Sequence, residues 1–292
     1  MQEKIKALAK LYAPEFIDIR HHLHANPELS YQEFETSKFV QEKLTAYGIP
    51  FEIKATTGVV GLIKGRLRQG SGGQGKERCI ALRADMDALP IKEENEVPYK
   101  SKNEGVMHAC GHDVHTTCLL GAAKILNELK AEWEGTIKLI FQPGEEKNPG
   151  GASLMIKDGV LENPKPQGIL AQHVHTMMEV GQFSFRGGQV MASADEIYIT
   201  VKGKGGHAAS PHLAVDPILI SSHLIIALQQ VISRNNNPFN PSVLSITSIN
   251  GGNTTNVIPN EVKLMGTFRA MNEQWRFQAH ELIKQTCTNL VA

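Results

Sequence analysis

Apolar side chains recur along the first fifty residues at the three- and four-residue spacing of an amphipathic helix. One apolar group ends near Ile19, and a second covers residues 34–44. The turn-forming pair Asn26 and Pro27 separates the two groups. The pattern therefore predicts two helices at the start of the chain.

Between residues 59 and 173, short apolar runs alternate with helical spacing. The runs predict strands at 59–63, 79–83, 136–142 and 168–173, and the helical spacing predicts helices at 116–129 and 152–158. Such alternation is typical of an α/β fold with a mixed, largely parallel sheet flanked by helices. The glycine-rich stretch 66–78 predicts an exposed, hairpin-like loop.

The pattern changes from about residue 187. Strands are predicted at 196–201, 242–250 and 261–269, with one helix from Asp216 and Pro217 to residue 232 and another from about residue 272. Aspartate is a good helix N-cap, and proline suits the first helical position. The order β-α-β-β-α is one strand short of a ferredoxin-like unit. We therefore predict two domains, residues 1–186 and 187–292, which is also what a length of 292 residues favours.

The charges of the chain balance: 30 Lys and Arg residues face 30 Asp and Glu residues. This balance argues against a nucleic-acid partner held by phosphate electrostatics. Four cysteines without framework spacing favour a reducing compartment. No apolar window suits a signal peptide or a membrane span, so we expect a cytoplasmic protein without a membrane partner. Twelve histidines, several of them clustered, are the unusual feature.

The densest group of candidate metal ligands is MHACGHDVH at residues 107–115. Cys110 and His112 can converge on one ion if this segment is an extended loop before a helix. A thiolate and a neutral imidazole suit zinc or another borderline transition metal. The alternative is a loop of satisfied polar residues around a buried cysteine.

Two adjacent carboxylates, Glu145 and Glu146, follow the buried strand at 136–142. Ligands bind at the carboxyl ends of strands in open α/β sheets, so this pair stands in the expected place. One carboxylate could bind a metal while its neighbour activates a water. The alternative is a solvated acidic turn.

Two further strand ends carry polar side chains. His173 and His175 stand two apart, and so on one side of the predicted strand, where one of them suffices as a ligand. Asp85 and Asp87 end another strand and could orient ligand histidines. Sulfur, nitrogen and oxygen ligands at one sheet edge predict metal-assisted hydrolysis of an amide or related acyl bond.

The second predicted domain offers three more candidates. His207 follows a glycine-rich turn and could reach a reacting oxygen, although a loop histidine is the simpler interpretation. The surrounding G-x-G-x-x-A pattern only weakly resembles a dinucleotide fingerprint, because no acidic residue stands about twenty positions further on. Arg269 ends a strand and could clamp a substrate carboxylate, and Asn256 lies in a turn. A surface salt bridge is the alternative for Arg269.

Nine motifs, taken in order, resemble the metal-dependent amidohydrolase or aminoacylase family, the branch with hippurate hydrolases, indole-acetyl-amino-acid hydrolases and N-acetyl-diaminopimelate deacetylases. The motifs are RHHLHANPELSYQE at 20–33, RADMDALP at 83–90, MHACGHDVHT at 107–116, FQPGEE at 141–146, QHVH at 172–175, MASADE at 191–196, GKGGHAASPH at 203–212, TNVIP at 255–259 and GTFRAM at 266–271. Individually several are weak, but their common order is specific.

The resemblance implies a zinc-peptidase-like catalytic domain with two divalent metal ions, Zn or Mn, and an inserted ferredoxin-like lid that often dimerises. By position it implies Cys110, His112, Glu146 and His173 as metal ligands and Glu145 as the general base. It further implies an oxyanion-stabilising role for His207, substrate-carboxylate contacts for Asn256 and Arg269, and a supporting role behind the ligands for Asp85. His175 matches a variable position and is left out of the ligands.

The implied reaction is hydrolysis of an N-acyl amino acid by a metal-bound water, in a protein expected to be a homodimer. The family continues beyond the length of this chain, with the last lid strand and one more histidine ligand, so we expect a truncated form with an exposed sheet edge and reduced stability. Two other readings stay open. The chain could be an inactive homologue that keeps only the fold and the dimerisation surface, or Cys110 could be a thiol nucleophile beside His112.

Overall fold

A computed structural model describes residues 1–66 and 78–291. The chain divides into two compact units, Met1–Val180 and Gly181–Ala292. The division falls between Val180 and Gly181 rather than between residues 186 and 187. Among the described residues, no helix combines the length and the apolar character that a membrane crossing requires.

The first unit consists of four helices and five strands in its described part. The helices are α1 (Gln2–Ala25), α2 (Phe34–Ala46), α3 (His112–Glu128) and α4 (Gly151–Lys157), and the strands are β1 (Phe51–Lys54), β2 (Gly58–Lys64), β3 (Cys79–Asp85), β4 (Thr136–Gln142) and β5 (Ile169–Ala171). A short 3-10 helix, Lys130–Glu132, follows α3. The strands form one mixed sheet in the order β1-β2-β4-β3-β5.

Strands β3, β4 and β5 run parallel to one another, whereas β1 and β2 pair antiparallel. Asp85 at the end of β3 stands opposite Gln142 at the end of β4, and Arg83 stands opposite Ala171 at the end of β5. The carboxyl ends of all three strands therefore meet at one edge of the sheet, as the sequence predicts.

Alternating side chains of the sheet enter two cores. Leu139 and Phe141 of β4 pack with Leu120 of α3 and with apolar residues of α1 and α2. Ile140 points to the other face and packs with Met155 of α4. Helices thus cover both faces of the sheet. This packing fixes the position of the polar residues at the carboxyl ends of β3, β4 and β5.

β5 is an edge strand, and Leu170 within it is 63% exposed. An exposed sheet edge is predicted for this unit. An apolar, uncovered edge of this kind is a site at which other chains can associate.

The second unit contains a three-stranded antiparallel sheet in its described part, in the order β6-β10-β8. Its elements are β6 (Asp195–Lys202), β7 (Gly206–His207), α5 (Pro217–Asn235), β8 (Ser242–Asn250), β9 (Val257–Ile258), β10 (Glu261–Ala270) and α6 (Glu273–Val291), with a 3-10 turn at Pro211–Leu213. β7 and β9 form a separate two-residue pairing. The strand order is that of a ferredoxin-like sheet without the edge strand beside β6.

Helices α5 and α6 cover one face of this sheet. Leu224 and Leu228 of α5 and Trp275 of α6 pack on Val262, Leu264 and Phe268 of β10. Asp216 caps α5 by accepting hydrogen bonds from the N–H groups of Ile218 and Leu219 at 2.8 and 3.3 Å, as predicted.

Two predictions of local structure are wrong, and three short strands were not predicted. Helix α3 begins at His112 rather than at residue 116, so the segment around His112 is not an extended loop. β5 ends at Ala171, so His173 and His175 lie beyond the strand and do not share its face. The short strands β1, β7 and β9 carry too few alternating residues to stand out in the sequence. Residues 67–77 of the predicted glycine-rich loop lie outside the described residues.

Candidate metal centre

Gly111 explains how Cys110 and His112 come together although α3 begins at His112. Its φ of 87° is left-handed, which turns the chain sharply between the loop and the helix. A Cβ at Gly111 would also overlap the side chain of Val174. The tight turn brings Cys110, at the end of the loop, and His112, at the start of α3, to the same site.

The ring of His112 leaves one nitrogen free. Nδ1 donates to the backbone oxygen of Asp87 at 2.8 Å, so in the neutral ring Nε2 holds a lone pair. Nε2 is buried, has no hydrogen-bond partner among the described residues, and lies 3.7 Å from Oδ2 of Asp85 and 3.8 Å from Oε1 of Glu146. A buried, unpartnered nitrogen that faces two carboxylates is what a cation site requires.

The charges around His112 also favour a cation site. Burial opposes protonation of the ring, but the hydrogen bond with Asp87 and the charges of Asp85 and Glu146 outweigh it and raise the pKa of His112. The site therefore carries an excess of negative charge that a bound cation would neutralise.

Cys110 and His173 complete the group of donor atoms. Sγ of Cys110 lies 3.3 Å from Nε2 of His173, and Nδ1 of His173 donates to the oxygen of Val174 at 2.7 Å. Donor atoms of Cys110, His112 and His173 all lie within 4.8 Å of one another. Burial and the neighbouring Glu146 raise the pKa of the Cys110 thiol to about 12, so without a cation this thiol stays protonated at neutral pH.

Glu145 and Glu146 are exposed in the loop that follows β4. His112, Glu145 and Glu146 form a second group whose donor atoms lie within 4.8 Å of one another. Although the residue as a whole is exposed, partial burial of its carboxyl group and the charge of Glu146 raise the pKa of Glu145. A carboxylate with a raised pKa is suited to accept and return a proton.

Asp85 is buried next to the candidate ligands. Its Oδ1 accepts from Nδ1 of His115 at 2.7 Å, and its Oδ2 accepts from Nη1 of Arg83 at 2.7 Å. Burial alone would raise the pKa of Asp85, but the bond from His115 and the charge of Arg83 hold that pKa well below its usual range. Arg83 is itself held by Oε1 of Gln142 at 2.9 Å.

The motif pattern assigns no role to His115, although the residue lies in the predicted cluster. Its Nε2 accepts the N–H of Val174 at 3.0 Å, so both ring nitrogens are engaged within the protein. His115 therefore fixes the backbone beside His173 rather than offering a free ligand atom. The three-residue spacing of His112 and His115 in one helical turn was the available signal.

A second buried polar network adjoins α3, and the sequence did not point to it. Both ring nitrogens of His24 face carboxylates, with Nδ1 at 2.8 Å from Oδ2 of Asp113 and Nε2 at 3.0 Å from Oε1 of Glu93. Nε of Arg20 lies 2.9 Å from Oδ2 of Asp113. Burial lowers the pKa of the nearby His108 to about 4, so that ring is neutral. The network anchors the residue that directly follows His112.

The remaining predicted residues belong to the second unit. His207 in β7 pairs with Val257, and the N–H of Ala208 donates to the oxygen of Asn256 at 2.9 Å, so His207 and Asn256 lie on neighbouring segments. Nδ1 of His207 accepts the N–H of Ala209 at 3.1 Å, which leaves Nε2 as the protonated nitrogen of the neutral ring. Arg269 is exposed on β10, on the face away from α5 and α6.

The donor set fits a divalent metal. One sulfur, two imidazole nitrogens and a carboxylate are the ligands that zinc and similar ions take in proteins. His173 and His112 each donate a hydrogen bond from Nδ1 to a backbone oxygen, which fixes the orientation of Nε2, the nitrogen that could bind a metal. His175 lies outside this group, and its Nδ1 accepts the N–H of Met177 at 3.3 Å.

Comparison with known proteins gives consistent matches. Residues 81–283 match the model of peptidase family M20/M25/M40. The chain is 44% identical over 273 residues to the IAA-amino acid hydrolase ILR1-like 5 of Arabidopsis thaliana, covering 93% of this chain and 60% of that protein. It is 42% identical over 276 residues to an N-acyl-L-amino acid amidohydrolase of Geobacillus stearothermophilus, covering 94% and 72% respectively.

A solved structure gives a similar result. The Bacillus subtilis YXEP protein, described as a dinuclear metal binding peptidase from the M20 family, superposes with a TM-score of 0.77 at 35% identity. The match covers 97% of this chain and 71% of that one. The chain spans about 60% of the length of the plant hydrolases it matches.

Proposed function

We propose that this chain, which belongs to peptidase family M20/M25/M40, hydrolyses the amide bond of N-acyl amino acids at the metal centre around His112. The observation that carries the proposal is the buried Nε2 of His112, which has no partner among the described residues and faces Cys110, His173 and Glu146. The names of the plant and Geobacillus relatives support the substrate class.

Cys110, His112, Glu146 and His173 would hold two divalent ions, Zn or Mn, in the manner of the dinuclear Bacillus relative. When bound, such ions lower the pKa of water and polarise a carbonyl group. Asp87 fixes the ring of His112, and Asp85 holds His115, which in turn accepts the N–H of Val174 beside His173.

Glu145 is proposed as the general base. It lies beside the ligands without serving as one, and its raised pKa lets its carboxylate take a proton from the attacking water near neutral pH. The same carboxyl group then returns the proton to the nitrogen of the leaving amino acid. Both transfers would use the one carboxyl group of Glu145.

The second unit is proposed as a lid and dimerisation domain that forms a homodimer. His207 would donate a hydrogen bond from Nε2 to the oxyanion of the tetrahedral intermediate, because its Nδ1 is occupied by the N–H of Ala209. Asn256 and Arg269 would bind the carboxylate of the substrate, since a guanidinium matches a carboxylate in geometry and charge.

The reading of Cys110 as a nucleophile is disfavoured by its environment. Burial and Glu146 raise its pKa to about 12, whereas a nucleophilic cysteine needs a lowered pKa. The Glu145–Glu146 pair would also have no role in a thiol mechanism.

The test is turnover of N-acetyl, N-benzoyl and N-indoleacetyl amino acids by the 292-residue chain with added Zn or Mn. We expect hydrolysis that a chelator abolishes and that Glu145→Gln reduces by about 100-fold or more. Glu35→Gln, at an exposed glutamate of α2, is the matched control and should leave the rate unchanged. Absence of turnover by the metal-loaded wild-type chain would favour the inactive homologue instead.

A further inference from the structure

The motif at residues 20–33 contains none of the proposed ligands, yet its second half lies directly beside the metal centre. Leu29 forms a parallel bridge with Ala88, and the N–H of Ala88 donates to the oxygen of Glu28 at 2.8 Å. Oγ of Ser30 donates to Oδ2 of Asp87 at 2.6 Å. The segment between α1 and α2 thus runs along the residues that follow β3.

Tyr31 contacts the loop that carries the two glutamates at three places. Its hydroxyl donates to the oxygen of Lys147 at 2.7 Å and accepts the N–H of Gly150 at 2.9 Å. Its ring lies against Gly144, where an added Cβ would overlap the ring. Glu145 and Glu146 therefore stand between two points at which one tyrosine holds their loop.

The backbone of Tyr31 is in a conformation that non-glycine residues rarely adopt. Its φ is 67°, in the left-handed region, so the surrounding contacts must hold it there. An aromatic residue gains nothing from this conformation by itself. The left-handed turn directs the ring and the hydroxyl across the glutamate loop.

Glu33 supplies the contacts that hold both Tyr31 and Gly144. Its Oε1 accepts the N–H of Gly144 at 2.7 Å and the N–H of Tyr31 at 2.8 Å, and its Oε2 accepts from Oγ1 of Thr57 at 2.8 Å. The side chain is completely buried, at 0% exposure. A buried carboxylate that accepts three hydrogen bonds fixes three separate segments relative to one another.

Asp87 joins this arrangement to the ligand histidine. Its Oδ2 accepts the N–H of Glu146 at 2.9 Å in addition to the hydroxyl of Ser30, and its backbone oxygen accepts from His112. The loop also closes on itself, because the N–H of Gly151 donates to the oxygen of Gly144 at 2.8 Å.

We propose that Tyr31 and Glu33 are positioning residues that hold loop 144–150, and with it the carboxylates of Glu145 and Glu146, in place for metal binding and proton transfer. Neither side chain is among the proposed ligands. This inference rests on the proposed function, because it assigns the two glutamates their roles at the metal centre.

The test uses Tyr31→Phe, which removes only the hydroxyl and keeps the ring over Gly144. Tyr12→Phe is the matched control, since it removes a hydroxyl that donates to Oε2 of Glu128 at 2.7 Å in a different part of the unit. Hydrogen exchange of the Gly150 amide should be about five-fold faster in Tyr31→Phe and unchanged in Tyr12→Phe.

Metal binding is the measurement that would stay unchanged if Tyr31 had a purely structural role. We expect Tyr31→Phe to bind Zn²⁺ about ten-fold more weakly in chelator competition and to alter the visible spectrum of bound Co²⁺, because Glu146 is displaced. With an N-acyl amino acid, kcat should fall by at least about ten-fold while KM changes little, because Glu145 loses its position.

Equal Zn²⁺ affinity, Co²⁺ spectrum and kcat in Tyr31→Phe and Tyr12→Phe would overturn the inference, even if the Gly150 amide exchanged faster. Glu33→Ala is the second variant because it removes the oxygen that accepts the N–H groups of Gly144 and Tyr31, and its thermal unfolding is measured first because the residue is buried. If it folds, it should show the same losses as Tyr31→Phe, and wild-type affinity would contradict the proposal. Failure of the wild-type chain to bind either Zn²⁺ or Mn²⁺ would overturn the proposed function, whereas the exchange experiment would still decide whether Tyr31 holds the loop.

Discussion

Nδ1 of His115 donates a 2.7 Å hydrogen bond to Oδ1 of Asp85, and both residues are almost completely buried. The other ring nitrogen of His115 accepts the N–H of Val174, the residue after His173. Asp85, at the end of β3, therefore acts through His115 of α3. It fixes the backbone beside His173, the proposed ligand that follows β5. The proposed metal centre would depend on such indirect hydrogen bonds as well as on its ligands.

Asp85→Asn should weaken Zn²⁺ binding by about ten-fold or more, because the bonds to His115 and Arg83 both depend on the ionised carboxylate. The loss of a buried ion pair should also lower the free energy of unfolding by about 3 kcal/mol. Chelator competition and urea unfolding measure the two effects. Asp18→Asn, at an exposed aspartate of α1, should change neither. Wild-type Zn²⁺ affinity in Asp85→Asn would contradict the supporting role.

Cys110→Ser should remove the thiolate-to-metal charge-transfer band of bound Co²⁺ and weaken binding, because a serine hydroxyl is a poor ligand for soft metals. Absorption spectroscopy of the Co²⁺-loaded chain provides the measurement. Cys118→Ser, at an exposed thiol of α3, should keep the band at full intensity. A band that persists in Cys110→Ser would show that Cys110 is not a ligand.

His24 should make the stability of the first unit pH-dependent. The hydrogen bond with Asp113, opposed by burial and supported by Glu93, raises the pKa of His24 above its usual 6.5. Arg20 and His108 also face this ring. The stabilisation from protonated His24 is therefore fully present below the unfolded-state pKa of about 6.5 and is lost as the pH rises through the raised folded-state value.

His24→Asn should accordingly lower the free energy of unfolding by about 3 kcal/mol at pH 6, and the difference from wild type should shrink towards pH 9. Urea unfolding across this range measures it. His223→Asn, at an exposed histidine of α5, is the control and should give a small difference at every pH. A difference for His24→Asn that stays constant with pH would show that the ring is not protonated in the folded protein.

Asp195→Asn should destabilise the second unit by about 2 kcal/mol. Asp195 binds Arg276 through both oxygens, at 2.6 Å to Nη2 and 2.8 Å to Nε, and this pair joins β6 to α6. Glu273→Gln removes an exposed partner of the same arginine and should cost less than about 0.5 kcal/mol. Urea unfolding of both variants gives the comparison, and equal effects would show that the bidentate pair contributes little.

The elements that the sequence located best are those whose signals lie within a few residues. The run at residues 136–142 coincides with β4, and the strand at 242–250 coincides with β8. The N-cap at Asp216 also depends only on its neighbours, and the structure has it as predicted. Periodicity and capping act over one or two turns, so the linear pattern contains them.

Local pattern was insufficient where distant groups stabilise a segment. His112 and Asp113 are polar residues in the first turn of α3, and burial there is possible only because Asp87 and His24 provide hydrogen bonds from elsewhere in the chain. The pattern therefore placed the start of the helix four residues late. In the same way, His173 lies beyond β5, where Val174 and His115 determine its position.

By itself the sequence determined the α/β class, most of the strands and helices, and the residues from which a metal centre can be built, since the motifs stand in a recognisable order. The tertiary structure alone decided which atoms of those residues are free: Nε2 of His112 is, whereas both nitrogens of His115 are engaged. It also placed Tyr31 and Glu33 in contact with loop 144–150. These contacts join segments separated by as many as 119 residues, and only packing of the folded chain brings such segments together.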